Sequence, residues 1–223
     1  YLAERDALTG LYNRHRFQQE IQRMLADCER SSTQGALMFF DLDEFKLIND
    51  TFGHRAGDAL LIRVASEVGT LVRRNEVLTR LGGDEFALLV PDVSEDEAVR
   101  LAERVVRAVA AIPFRFDGQN LRLTTSLGIA LYPGQAADAD ELVVHADTAM
   151  YQAKQAGKNT WRVYRPELDK TRFMVEHLTW NDRITQALEN NLLQLHFQGI
   201  YDIRSGALAH LEALVRMVDE QHP

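Results

Sequence analysis

Cysteine is almost missing from this chain: Cys28 is the single one in 223 residues, which excludes an internal disulfide and a cysteine-built zinc site. It falls in a helical stretch and reads as an inert thiol. Long apolar runs are missing too. No stretch approaches the ~20 residues that span a bilayer, and no secretory leader is visible. The chain opens on Tyr1, which points to a longer parent with room for sensor or membrane segments upstream. Positive charge is in deficit. Lys and Arg number 25 against 33 Asp and Glu, a net charge of -8, which speaks against a broad nucleic-acid-binding face. A nucleotide needs only local cations and a metal. At 46% hydrophobic and 26% charged residues the chain has the composition of a soluble globular protein, long enough for one domain and part of another.

What is present has clear periodicity. Phe17, Ile21, Met24 and Leu25 predict a helix over 13–30, and the apolar run 36–40 (ALMFF) a buried central strand ending at Asp41. A helical turn or two is expected at 44–49, a break marked by Gly53 and Gly57, and a helix over 58–72. Strands at 77–81 and 86–90 flank a Gly82-Gly83-Asp84-Glu85 turn. Ser94 and Glu97 form a capping box for a helix running to Val109. A small hairpin (114–117, 121–123), a strand (124–131), a helix over 138–155 closed by Gly157, and a last strand (160–164) complete the unit. This order predicts an α/β sandwich with a mixed, largely antiparallel sheet, and it disfavours a doubly wound dinucleotide fold. Beyond Pro166 the pattern predicts an amphipathic helix carrying Phe173, Leu178, Trp180, Ile184 and Leu188, then a strand pair at 192–197 and 201–203 around Gly199.

Three acidic clusters carry the chemistry: Asp41-Leu42-Asp43 at a strand end, Asp84-Glu85 in the turn, and Asn49-Asp50 with Asp58 around Gly53-His54. Carboxylates gathered at one sheet edge repel unless a hard divalent cation sits among them, and magnesium takes few protein carboxylates, completing its shell with water and phosphates. Asp41 with Asp84 or Glu85 suits it, leaving a further carboxylate for chemistry. Taken alone, Asp43 reads as a loop cap. Lys46, Lys154 and Lys158 are candidates for a phosphate clamp, although Lys154 and Lys158 also suit a helix C-terminal dipole. Asn49 and Asp58 suit guanine, whose N1-H and N2-H match a carboxylate, or equally helix capping. His54 reads as a turn residue.

"DALTGLYNR" (6–14), "FDLDEFKLINDTFGHRAGD" (40–58), "RLGGDEF" (80–86) and "MYQAKQAGKN" (150–159) together resemble the successive motifs of GGDEF domains, the diguanylate cyclases. The resemblance covers about residues 1–165 and implies a palm-like sheet shared with adenylyl cyclases and polymerases. It implies that Asp41, Asp84 and the Leu42 carbonyl bind Mg2+ (or Mn2+), with Glu85 a further ligand or the group that deprotonates the attacking hydroxyl. Asn49 and Asp58 would read guanine; Lys46, Lys154, Lys158 and amides near Phe45 would hold phosphates. Lys158 stands where the family often has Arg, keeping the charge without the fork. The implied reaction joins two GTP into cyclic di-GMP and two pyrophosphates between two facing domains, so a homodimer is required. Arg73-Arg74-Asn75-Glu76 replaces the family's Arg-x-x-Asp product-inhibition site; Arg73 and Glu76 are candidates for that role, and a solvated loop is the plainer reading.

"LQLHFQGIYDIRSGALAHLEALVRM" (193–217) resembles the opening of an EAL domain, the cyclic di-GMP phosphodiesterase barrel. Glu212 matches its first metal ligand and Gln198 and Arg216 its ligand-contacting positions, while Gly199 and Met217 depart from the usual Pro and Trp. The expected organisation is a cyclase domain over 1–166, a linker helix over 167–190 and a partial EAL region over 191–223, which could not hydrolyse cyclic di-GMP alone. A cytoplasmic location without membrane contact in this segment is expected. The alternative function is a GTP-binding module that regulates an attached EAL domain without making product.

Overall fold

A sheet flanked on both faces needs strands that are apolar on both sides, and the two most apolar runs of this chain sit at its centre. The computed structural model describes residues 4–116, 119–121, 123–166, 193–202 and 206–217. It divides into two compact units, Tyr1–Leu168 and Asp169–Pro223. The first unit contains α1 (Arg14–Ser31), β1 (Gly35–Leu42), α2 (Phe45–Phe52), α3 (His54–Gly69), β2 (Val77–Gly82) and β3 (Glu85–Pro91). These are followed by α4 (Glu95–Ala110), β4 (Phe114–Phe116), β5 (Gln119–Leu121), β6 (Thr125–Tyr132), α5 (Ala139–Gln155) and β7 (Thr160–Val163).

The five-stranded sheet has the order β2-β3-β1-β6-β7; β6–β7 is its one parallel pair, and the other neighbours are antiparallel. The mixed, largely antiparallel sandwich expected from the sequence is what forms. β1 and β6 are buried along their whole length. Alternate β1 residues go to opposite layers. Met38, Phe40 and Leu42 pack with Leu60, Val64, Val68 and Val105 of α3 and α4, while Leu37 and Phe39 pack with Phe17, Ile21, Leu142 and Ala146 of α1 and α5. Each such fully buried aliphatic side chain contributes roughly 1.5–3 kcal/mol. Asn13 caps α1 by accepting the Arg16 amide at 3.1 Å, and α4 carries both halves of the Ser94/Glu97 capping box. At the open β2 edge the N-terminal segment runs alongside: Tyr12 bridges Thr79 in parallel, and the Arg80 amide donates to the Tyr12 carbonyl at 2.9 Å.

Several boundaries differ from the sequence reading; the second strand of the small hairpin is β5 at Gln119–Leu121 and not 121–123. α2 continues to Phe52, and α3 begins at His54, not Asp58, because Gly53 (φ 80°) alone makes the break. Gly57 is an interior residue of α3, and its lack of a side chain serves close approach: a Cβ there would lie 2.0 Å from Asn49 Oδ1. In the second unit β8 (Leu193–Tyr201) runs straight through Gly199, and its antiparallel partner is β9 (Leu208–Met217), not 201–203. The turn closes where the Asp202 amide donates to the Ala207 carbonyl at 2.9 Å and the Gly206 amide to the Asp202 carbonyl at 2.8 Å. The expected helix over 167–190 lies outside the described residues. Among the described residues, no helix is long and apolar enough to cross a membrane.

Gly128 on β6 sets how closely α5 can lie, since a Cβ there would come within 2.1 Å of the Ala146 carbonyl oxygen and the Met150 amide nitrogen. Gly128→Ala is expected to cost about 1–3 kcal/mol through overpacking, read as a lowered midpoint in urea or thermal unfolding.

Candidate active site

The site begins where β1 leaves the core. Asp41, next to last in β1, is buried and pairs in register with Glu85 at the start of β3. Its Oδ2 accepts a hydrogen bond from Lys154 Nζ near the end of α5, whereas its Oδ1 is buried with no hydrogen-bond partner. Burial pushes the Asp41 carboxyl above its ordinary value, the Lys154 ammonium pulls it back, and the carboxylates of Asp84 and Asp43 push it up again. Asp84 and Asp43 thus stand within electrostatic reach of Asp41.

Asp43 has a structural task. It accepts from Thr124 Oγ1 (2.6 Å), Ser126 Oγ (2.7 Å) and the Asn159 amide (3.1 Å), tying the end of β1 to β6 and to the exit of α5. This is the loop-cap role anticipated for it.

The Asp84-Glu85 turn uses both of its glycines. Gly82 (φ 152°) follows a register shift in β2, and Gly83 (φ 52°) adopts the left-handed conformation, so one relieves an irregular strand end and the other makes the turn. Arg80 then fixes this turn. Its Nε and Nη2 donate to the Gly83 carbonyl at 3.0 and 2.7 Å, and its Nη1 donates to both carboxylate oxygens of Asp6 at 3.0 Å. Asp6 also accepts from the Thr9 amide (2.8 Å) and hydroxyl (2.6 Å). Burial raises the Asp6 carboxyl, but these Thr9 bonds and the Arg80 guanidinium outweigh it and hold the group below its ordinary value. Arg14 reaches the turn from α1, donating to the Leu81 carbonyl at 3.3 Å and lying 3.6 Å from Glu85 Oε2. Asp6, Arg14 and Arg80 all stand inside quoted motifs, yet their roles come from contacts that spacing does not reveal. Beside the turn a groove of about 670 Å³ opens between α1 and α5, with Phe17, Ile21, Phe39, Met150, Arg14 and Glu85 among its lining.

The candidate phosphate and guanine residues gather only in part. Lys158, at φ 62°, donates to Glu44 Oε1 at 2.9 Å, and this bond holds its ammonium above the ordinary value. Lys46 is exposed in the first turn of α2. Phe45 is buried at the start of α2, whose N-cap Glu44 makes no side-chain capping bond. Asn49 is half-buried on α2, against Gly57 of α3; Asp58 is exposed one residue further on. His54 is exposed at the first position of α3.

The Arg73–Glu76 loop is not simply solvated. Arg73 is exposed, but Glu76 is buried because its Oε2 accepts the Arg73 amide at 2.6 Å and closes the loop. On the hairpin of the second unit, Gln198 stands opposite Glu212 and Gln194 opposite Arg216. Among the described residues, no three His, Cys, Asp or Glu groups are arranged to hold a metal.

A mostly antiparallel five-stranded sheet between helical layers, with acids at the end of its central strand and in the adjoining turn, defines the palm-like class of cyclase folds. Within that class the chain belongs to the GGDEF family: the model of "Diguanylate cyclase, GGDEF domain" matches residues 3–160. The bifunctional diguanylate cyclase/cyclic di-GMP phosphodiesterase MucR of Pseudomonas aeruginosa is 37% identical over 221 residues, which is 99% of this chain and 32% of MucR. The chain thus spans about a third or less of the first curated relatives it matches. The GGDEF-only structure of TpbB (YfiN) from the same organism aligns with a TM-score of 0.71 at 37% identity, covering 76% of this chain and 98% of that one. The GGDEF domain of DgcB from Caulobacter crescentus, solved in complex with c-di-GMP, aligns at 0.68 and 31% identity over 73% of this chain and 96% of that one.

Two expectations follow. A carboxyl raised on folding stabilises most in its protonated form, fully below pH 3.8, and loses that contribution as pH rises through its folded value. Asp41→Asn should therefore be at least as thermally stable as the parent at pH 7, the difference closing below pH 3.8. Asp6 has the opposite sign: its contribution is present above pH 3.8 and is lost as pH falls through its lower folded value. Arg80→Met should lower the thermal midpoint at pH 7, and the deficit should shrink in acid.

Proposed function

We propose that this domain is a diguanylate cyclase, condensing two GTP into cyclic di-GMP and two pyrophosphates between two copies of itself. The single observation that carries the reading is the buried, unpartnered Oδ1 of Asp41, flanked by Lys154 and within electrostatic reach of Asp84. A buried carboxylate oxygen without a partner is costly unless a cation comes to it. The donor set fits magnesium or manganese: Asp41 and Asp84 with the Leu42 carbonyl would hold the ion, and phosphate oxygens would complete its shell. Once bound, the ion would supply charge stabilisation at the reacting phosphate.

This chain's residues supply the rest. The first-turn amides of α2, left uncapped by the Glu44 side chain, form a helix N-terminus suited to phosphate oxygens. Phe45 marks that turn, and Lys46, Lys154 and Lys158 add charge to it. Asn49 and Asp58, on helices brought close at Gly57, would read the guanine edge. In each half-reaction the 3′-hydroxyl oxygen of one GTP bonds to the α-phosphorus of the other, and the bond to the β-phosphate breaks to release pyrophosphate. The hydroxyl proton passes to a base, a role that Glu85 would take if it is not a metal ligand. Because each domain would present one GTP, the second hydroxyl must come from the partner copy.

We also propose that the β8–β9 hairpin opens an EAL domain, with Gln198, Glu212 and Arg216 among its ligand positions. Support comes from MucR, which is matched over 99% of this chain and 32% of its own length and whose name joins both activities. The parent protein would then join synthesis to hydrolysis of the same messenger.

The experiment is purified protein with GTP and Mg2+, followed by chromatography for cyclic di-GMP. Product is expected, at a specific rate that climbs with protein concentration. Asp84→Ala and Glu85→Ala should each lower it by about 10²-fold or more with the thermal midpoint kept. Undiminished synthesis in either variant contradicts the site; no product at any wild-type concentration contradicts the function.

A further inference from the structure

We propose that Lys154 and a divalent ion compete for Asp41, and that a nucleotide triphosphate resolves the competition by taking the ammonium away; this inference rests on the cyclase reading above. Lys154 Nζ donates to Asp41 Oδ2, so one oxygen of the best-placed metal ligand already carries a cation from the protein. The other oxygen, Oδ1, is buried without a partner, so the pair is only half satisfied. A second internal pair stands beside the first: Lys158 Nζ donates to Glu44 Oε1 at 2.9 Å, at the N-cap of α2 where phosphate oxygens would dock. Two of the three lysines of the candidate phosphate clamp, Lys154 and Lys158, therefore rest on carboxylates beside the site.

The protein offers no ready cage of three acidic ligands among its described residues. A metal ion arriving alone meets two carboxylates and an ammonium within hydrogen-bonding reach of one of them, and like charges at that range oppose its entry. A triphosphate changes the balance. Its oxygens offer the ammonium of Lys154 an anionic partner of equal quality, which frees Asp41 Oδ2 alongside the open Oδ1. Those same oxygens also supply the ligands that the protein lacks. The Lys158–Glu44 pair is exposed and screened by solvent, so it yields readily. The exchange makes metal and nucleotide bind cooperatively, each raising the other's affinity by the same factor. Lys154 is thus both a phosphate contact and a tethered stand-in for the metal. It neutralises the cluster until a substrate arrives and keeps free divalent ions from lodging there.

The test measures Mn2+ binding to the 223-residue chain by loss of the free-ion electron paramagnetic resonance signal. It is run with and without guanosine 5′-(α,β-methylene)triphosphate, which binds without reacting. In the wild-type chain the analogue should tighten Mn2+ binding. Lys154→Met, which keeps the stem and removes the charge, should bind Mn2+ alone roughly tenfold more tightly. It should bind the analogue more weakly, and the coupling between the two should shrink. Mn2+ affinity in Lys154→Met equal to or below wild type, including binding too weak to measure in both, overturns the exchange. If Lys154→Met does not fold by circular dichroism, Lys154→Gln takes its place with the same two outcomes. Failure of the cyclase reading looks different: the wild-type chain would then bind no analogue at all.

Discussion

Everything in this domain is arranged around one awkward placement: a carboxylate at the end of a strand that is buried on both faces. β1 must be apolar along its length to hold two helical layers together, and Asp41 is its first polar residue. A charge there loses water and must be compensated. The protein compensates half of it with Lys154 from α5 and leaves the other half open. The packing that makes the fold stable and the electrostatics of the acidic cluster are therefore the same piece of geometry. Removing the acid would ease the fold at the cost of the open carboxylate, the usual tension between a site and its scaffold.

The surrounding elements serve to hold that geometry. Asp43 ties the strand end to β6 and to the residues after α5. Gly128 lets α5 lie against the sheet closely enough for Lys154 to reach Asp41. Arg80 bridges the N-terminal segment and the acidic turn, so the chain entering the domain is mechanically joined to the β2–β3 hairpin. That junction gives a physical route by which a disturbance at the start of the chain would reach Asp84 and Glu85.

Much of this was legible before the coordinates. The run ALMFF ending in Asp-Leu-Asp reads as a doubly buried strand because no polar residue interrupts it, and the turn residues announce themselves through two adjacent glycines. The capping box of α4 is a purely local signal and was readable for that reason. What stayed hidden depends on partners far apart in the chain. Asp6 and Arg80 are 74 residues apart, Lys154 and Asp41 are 113 apart, and no periodicity links them. Gly57 misleads in a sequence because glycine so often ends a helix; here the side chain of Asn49 needs the space. The extent of β8, and with it the place of its partner β9, stays hidden because Gly199 looks like a break, whereas β8 passes through it. Glu76 reads as a loop acid until its contact with the Arg73 amide shows why it is buried.

The N-terminal segment that lies along β2 has a consequence for how such domains can meet. An unpaired strand rim is a template for another chain. On this molecule one rim is occupied by the bridge from Tyr12 to Thr79, and the opposite rim, β7, is only four residues long. Joining by sheet extension is blunted at both ends. Copies of the domain would instead have to touch through side chains, a kind of contact that can form and dissolve without unravelling either sheet.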